Sequence, residues 1–313
     1  LDGASIMKTQ KPLHMATPVR QSLALTKLAG TSVYLKLDSS QPTGSFKIRG
    51  IGHFCKTVMG GARITWASTG GNAGMAAAYS ARQLGVPATI VVPTVTPDST
   101  VERLKDEGAT VLISGKQLVA NNPGWTFISP FDDPLIWEGH SSLVKELAVD
   151  LEEKPGAIVL SVGGGGLLNG VVEGLRRVNW ADVPIVAVET DGAHSLNAAI
   201  KAGKLVTLPV ITSVATTLGI VRVSAQTMKL ISKKAEMTTL ISASELLSAD
   251  DEKILVEPAC GAALSAVYSH IIRKLQNEGK LAKELGPVVV VVCGGNNISM
   301  KELRKLKKQL GMM

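Results

Sequence analysis

The stretch "PGAIVLSVGGGGLLNGVVEGLRRV", residues 155–178, decides the fold. It reads as an almost continuous apolar strand, a run of glycines, then a helix. A strand apolar on both faces belongs inside a sheet covered on both sides, the usual setting of parallel α/β sheets. The four glycines expose backbone N–H groups at a helix start, where the helix dipole favours an anion. A Walker loop requires GxxxxGK[ST], and no lysine follows. A dinucleotide fingerprint requires GxGxxG. The sixth residue is Leu168 counting from Gly163 and Asn169 counting from Gly164, so neither fits. The loop suits a lone phosphate better than a nucleotide; a plain flexible turn is the alternative.

The same alternation continues in both directions. "SVYLKLD" (32–38), "RITWAS" (63–68), "PATIVVP" (87–93), "TVLIS" (110–114), "WTFISP" (125–130), "VPIVAVE" (183–189) and "GPVVVVVC" (286–293) read as strands. "NAGMAAAYSARQLG" (72–85) reads as a helix closed by Gly85. "DSTVERLKDEG" (98–108) reads as a helix capped by Asp98 or Ser99. Only "GKQLVANNPG" separates "TVLIS" from "WTFISP", which is short for a parallel crossover containing a helix. The region from Ile231 to Asp250 looks similarly compressed.

Bulk properties narrow the class. A chain of 313 residues has room for two domains. Its 45% apolar and 19% charged residues are ordinary for a globular protein. Cys55, Cys260 and Cys293 lie far apart with no CxxC pair, which points to a reducing compartment and to neither a disulfide frame nor a zinc site. The net charge of +7 could suit nucleic acid, but aromatics are only 4% and no basic run carries interleaved stacking residues. The basic cluster "KELRKLKKQL" (301–310) places Leu303, Leu306 and Leu310 on one helical face, as in a docked C-terminal helix. "LDGASIMKTQKPLHM" lacks the apolar core of a secretion signal, and no apolar run approaches a membrane span.

Three more stretches carry possible chemistry. In "QPTGSFKIRG" (41–50), Lys47 lies between Phe46 and Ile48. Burial there would lower its pKa and make it a nucleophile and base; the alternative is one solvated lysine among 33 Lys and Arg residues. "STGGNAG" (68–74) offers hydroxyl, amide and backbone donors suited to a carboxylate at a helix start, or a plain capping turn. Cys293 ends a buried strand, where a cysteine alone reads as a small hydrophobe.

Together, S-F-K-x-R-G, S-x-G-G-N-A-G, G-G-G-G-L and C-G-G-N-N, in that order, resemble the pyridoxal-phosphate (PLP) enzymes of fold type II, with the tryptophan synthase β-like architecture. The similarity runs from about Pro12 to Met312 and includes "PFDDPLIWEGH" (130–140) and "DDEKILVEPACGAA" (250–263). Within the family the pattern is similar to the branch that deaminates serine and threonine. The resemblance implies two parallel-sheet α/β domains with the cofactor in the cleft between them. Residues 36–132 would form the small domain, and 1–35 with 133–313 the large PLP-binding domain.

The resemblance also implies roles. Lys47 carries PLP as a Schiff base and is the catalytic base, with Phe46 among the cofactor contacts. Gly163, Gly164, Gly165, Gly166 and Leu167 cradle the phosphate, Asn72 meets the ring 3-oxygen, and Cys293 faces the pyridine nitrogen. Ser68, Thr69, Gly70, Asn72 and Ala73 receive the substrate carboxylate. Gly163, Glu189, Ala193, Leu218 and Ile220 match the family's monovalent-cation ligands, for potassium; Glu189 could equally be a salt-bridged surface carboxylate. The implied reaction is β-elimination of L-serine to pyruvate and ammonia, and of L-threonine to 2-oxobutyrate and ammonia. A neutral thiol at Cys293 disfavours a long-lived carbanion. Gly70 stands where similar racemases place a second base, a serine, so racemisation is disfavoured. The other readings are a racemase of the same fold or a weakly active PLP-binding relative. A cytoplasmic homodimer with neither nucleic-acid nor membrane partners is expected. The stretches near 57–63, 113–122 and 231–250 are short for the family.

Overall fold

The structure, a computed structural model, describes residues 11–58, 71–94, 96–113, 127–231, 238–241, 252–309 and 311. "RITWAS", Ser68, Thr69 and Gly70, and most of the three short stretches, lie outside the described residues.

The described strands are β1 (Val19–Gln21), β2 (Val33–Lys36), β3 (Thr89–Val92), β4 (Thr110–Ile113), β5 (Ala157–Ser161), β6 (Ile185–Thr190), β7 (Thr238–Ile241) and β8 (Val288–Val291). Six form one sheet in the order β1-β2-β8-β5-β6-β7, and β3 pairs with β4 in a second sheet. Apart from the antiparallel β1–β2 edge, every pairing is parallel. β8 lies at the centre, with Val288 opposite both Val33 and Ala157. Its four valines are wholly buried, as are all five residues of β5. β-Branched side chains suit a strand covered on both faces, and each such burial contributes about 1.5–3 kcal/mol.

The helices are α1 (Leu23–Ala29), α2 (Lys47–Val58), α3 (Asn72–Leu84), α4 (Asp98–Asp106), α5 (Pro134–Asp150), α6 (Gly166–Arg177), α7 (Ser195–Ala202), α8 (Ala225–Ile231), α9 (Pro258–Tyr268), α10 (Ile271–Asn277) and α11 (Met300–Gln309). None is long and apolar enough to cross a membrane. One apolar core surrounds the large sheet, and a second gathers α2, α3 and the β3–β4 pair. Gly85 ends α3 in the left-handed conformation, as the sequence indicates, with its N–H on the Ala81 and Arg82 carbonyls.

Three elements differ from expectation. Residues 127–129 form no strand, because the Ser129 hydroxyl accepts the Phe131 and Asp132 N–H groups (3.4 and 2.8 Å) and turns the chain. Helix α4 is entered from Pro97 and has no side-chain cap, so Asp98 acts only as a favourable first-turn charge. The C-terminal helix buries no side chain; Leu303 and Leu306 are half-buried.

Helices α2 and α5 were not legible because glycines interrupt them. Tertiary packing explains the glycines. A Cβ at Gly50 would fall 2.6 Å from both His140 Cε1 and the Ile136 oxygen, and one at Gly139 would lie 2.7 Å from the Gly50 Cα. The helices cross at these glycines, and close approach outweighs the roughly 1 kcal/mol of lost helix propensity.

Candidate active site

In a doubly wound sheet, ligands bind beyond the carboxyl ends of the strands. Here β5 runs into the glycine loop at Ser161, and β8 leads to Cys293. A cavity opens at that edge. The glycine loop and the start of α6 form one wall. Lys47 and Phe46, with Asn72 and Ala73 from α3, form another. Thr217, Leu218, Ile220, Glu257 and Cys293 close it, with Pro130 and Phe131 at its side.

Lys47 is the first residue of α2 and is half-buried. Its Nζ donates to the Pro130 carbonyl and lies 5.2 Å from the Phe46 ring centroid. Desolvation lowers its pKa to about 8, against the opposing pull of Cys293 and Glu257. The amine is therefore partly neutral near physiological pH.

The glycine loop could carry no side chains. Gly165 enters α6 at φ 92°, and a Cβ there would strike the Thr227 hydroxyl. A Cβ at Gly164 would overlap the Phe131 ring, one at Gly166 would fall 2.6 Å from the Phe131 oxygen, and one at Gly163 would fall 3.3 Å from Leu218. The Gly164 and Gly165 carbonyls turn away from the cavity to accept Ser224 and Asn169 N–H groups at 3.1 and 2.9 Å. Among the described residues, no protein acceptor takes the N–H groups of Gly163, Gly164 or Gly165. Leu167 belongs to the core around the large sheet and also lines the cavity.

Asn72 and Ala73 open α3 and are buried. Asn72 Nδ2 donates to Glu257 Oε1 at 2.8 Å, while its buried Oδ1 has no partner among the described residues. Glu257, 2% exposed, also accepts from Thr217 Oγ1 (3.3 Å), Asn297 N (3.2 Å) and Asn297 Nδ2 (3.1 Å). Burial raises its pKa, while the Asn297, Asn72 and Thr217 hydrogen bonds oppose the rise. The Oγ of Ser161, which also lines the cavity, is buried and has no partner among the described residues. Sequence reading missed Glu257 as a functional residue. The only hint was its place before Pro258, where it reads as a helix cap, yet its carboxylate makes no cap bond.

Cys293 accepts the Phe46 N–H on its carbonyl at 3.0 Å. Its buried thiol is pushed well above the usual range by the neighbouring Cys260 thiol and by desolvation, so it stays protonated. Glu189 is fully buried, which rules out a surface salt bridge. Its carboxylate accepts from Leu196 N (2.9 Å) and Asn197 N (2.7 Å) on α7, and burial raises its pKa to about 7. Ala193 turns back onto Thr190, and Ile220 N donates to the Leu218 carbonyl at 2.7 Å. Gly163, Leu218 and Ile220 line the cavity; Glu189 and Ala193 lie outside its lining.

The residues present fit pyridoxal phosphate. The glycine N–H groups suit an anionic tail, the Asn72 Nδ2 hydrogen left over from Glu257 and the Ser161 hydroxyl suit a polar ring system, and the partly neutral amine suits an electrophilic carbon.

Comparison with known proteins agrees. The family described as "Pyridoxal-phosphate dependent enzyme" matches residues 11–294. The chain is 62% identical to human L-serine dehydratase/L-threonine deaminase, covering 98% of each chain. It is 54% identical to human serine dehydratase-like protein, covering 97% of each. Among solved structures, a fungal L-serine ammonia-lyase from Rhizomucor miehei superposes with a TM-score of 0.87 at 36% identity, over 96% of this chain and 100% of that one.

Proposed function

The chain belongs to the family of pyridoxal-phosphate dependent enzymes, and we propose that within it the protein is an L-serine/L-threonine ammonia-lyase. It converts L-serine to pyruvate and ammonia, and L-threonine to 2-oxobutyrate and ammonia. The observation that carries this reading is the half-buried, partly neutral Lys47 amine sharing one cavity with the glycine loop. Identity is higher to the dehydratase/deaminase than to the dehydratase-like protein, which favours the first branch.

When bound, pyridoxal phosphate supplies an electron sink for charge developing at the substrate Cα. The protein does the rest. The Gly163–Gly166 N–H groups and Leu167 backbone hold the phosphate at the α6 N-terminus. Lys47 Nζ would hold the cofactor and, when free, would take the Cα proton; burial keeps part of the amine neutral, as a base requires. Phe46 backs that amine. Asn72, held by Glu257, is fixed to meet the ring oxygen. The Cys293 thiol, kept neutral by Cys260 and by burial, would sit at the ring nitrogen without holding a proton on it, which would favour loss of the β-hydroxyl over return of the Cα proton. Ser68, Thr69 and Gly70, with Asn72 and Ala73, receive the substrate carboxylate. Gly70 has no proton to deliver to the opposite face, which favours the lyase over a racemase.

We further infer that residues 36–132 form the small domain, supported by the separate second core. Gly163, Glu189, Ala193, Leu218 and Ile220 would hold potassium through backbone carbonyls and the Glu189 side chain, supported by the close approach of Gly163 to Leu218. A cytoplasmic homodimer fits the family resemblance, and three free cysteines fit a reducing compartment.

Release of the 2-oxo acid (pyruvate from serine, 2-oxobutyrate from L-threonine) from L-serine, D-serine and L-threonine, with and without potassium, tests the reading beside Lys47→Ala. Release from L-serine and L-threonine by the wild type, and from neither by Lys47→Ala, is expected, with potassium raising the rate. A PLP-loaded wild type that makes no pyruvate from L-serine overturns it.

A further inference from the structure

His140 is a buried titratable side chain that the mechanism above leaves unused. It lies in α5, fully buried, and neither ring nitrogen has a hydrogen-bond partner among the described residues. An imidazole in such a position needs a reason, because burying an unpaired polar group costs about 1–3 kcal/mol. Two helices make room for it. A Cβ at Gly50 of α2 would fall 2.7 Å from His140 Nε2, and a Cβ at Gly170 of α6 would collide with the His140 Cβ. His140 therefore sits on α5 where that helix packs both against the helix that begins with Lys47 and against the helix that begins at the glycine loop. Its ring packs on Phe46, with centroids 4.9 Å apart and planes tilted by 52°. In that tilted arrangement an imidazole N–H can point at the ring face. The Lys47 amine lies 5.2 Å from that same Phe46 ring.

We propose that His140 is a positioning residue. It fixes the Phe46 ring against the Lys47 amine and sets the spacing between that amine and the phosphate-binding start of α6. Both ends of one ligand are thus gauged from a single side chain on α5. The imidazole works in its neutral form: burial and the positive charges of Lys47, Arg49 and His14 hold its pKa well below the usual value. On the other side of the amine, Cys293 and Glu257 are the titratable neighbours. The inference rests on Lys47 being the cofactor-binding amine.

The test uses the apoprotein, with Lys47 reductively methylated by ¹³C-formaldehyde and titrated by NMR, and PLP affinity measured separately. The variants are His140→Ala, His140→Gln and Leu143→Ala. Leu143 lies one turn along α5, is equally buried, and packs in the core of the large sheet. In the wild type, Lys47 should titrate near 8 and PLP should bind; failure of either sinks the functional reading, independently of the variants. His140→Ala admits water beside Phe46. The Lys47 midpoint should then rise by a unit or more towards 10.5, and PLP affinity should fall at least tenfold. His140→Gln should recover part of both. Leu143→Ala should lower thermal stability while moving neither. A folded His140→Ala protein with wild-type Lys47 titration and PLP affinity overturns the proposal. So does a Leu143→Ala protein that shifts both as far as His140→Ala.

Discussion

Arg49, two residues beyond Lys47 on α2, grips Asp38 through Nε–Oδ2 and Nη2–Oδ1 hydrogen bonds of 2.7 and 2.8 Å, with both side chains sealed from solvent. The same guanidinium donates to Glu146 Oε1 and Oε2 at 2.5 and 2.8 Å. Lys36 joins Glu146 at 2.7 Å. The network ties the amine-bearing helix to β2 and α5. Removing Asp38 leaves two buried cations, Lys36 and Arg49, sharing Glu146, so one buried charge loses its compensation, a loss of about 3–5 kcal/mol. Asp38→Asn should therefore lower the unfolding free energy by that order in urea titrations of the apoprotein. A cost below about 1 kcal/mol would show that the network does not anchor α2.

Lys47 makes a pH-dependent prediction. Its folded pKa is about 8, against about 10.5 in the unfolded chain. Below pH 8 it is charged in both states, and the cost of burying that charge is fully present. Between 8 and 10.5 the folded protein releases the proton while the unfolded chain keeps it, so native stability gains with rising pH. Lys47→Met removes that cost. The apoprotein should thus be stabilised by Lys47→Met most at or below pH 8, and the advantage should shrink towards pH 10.5. Urea midpoints of both proteins across that range check it. An advantage that grows with pH would mean that Lys47 is not desolvated.

Glu257 accepts only donors, from Asn72, Thr217 and Asn297. Glu257→Gln replaces one acceptor oxygen with an NH₂ group facing other donors. Asn72 would lose its fixed orientation, and a buried mismatch of this kind costs about 1–3 kcal/mol. PLP affinity should fall roughly 5- to 100-fold in equilibrium dialysis, with Asn72→Ala and the double variant little worse than either single one. Additive losses would mean that Glu257 and Asn72 act separately.

Gly165 adopts φ 92° and its Cα faces the Thr227 hydroxyl. Gly165→Ala should lose PLP binding even when paired with Thr227→Gly, because a Cβ at 165 would meet the Thr227 Cβ (2.8 Å) as well as its hydroxyl, and relieving both contacts leaves the left-handed backbone strain in place. Restoration of wild-type PLP affinity in the double variant would assign the whole effect to side-chain overlap.

The parallel sheet and the glycine loop were legible because each is local, whereas Lys47 stood out from the other lysines only through the resemblance carried by four ordered motifs. Val288–Val292 and Ala157–Ser161 announce buried strands by composition, and Gly163–Gly166 announce an anion site by spacing. Glu257 and His140 were not legible as functional residues. Each acts through contacts distant in sequence, with Asn72 for Glu257 and with Phe46, Gly50 and Gly170 for His140. Helices α2 and α5 were hidden for the same reason: their glycines look like helix breakers until the other helix is seen passing through the space.

The central claim is that one particular amine bonds the cofactor. Borohydride reduction of the PLP-loaded protein, followed by proteolysis and peptide mass mapping, measures this directly. The account predicts a single pyridoxyl group, on the peptide containing Lys47. A pyridoxyl group on any other lysine, or none at all, contradicts it.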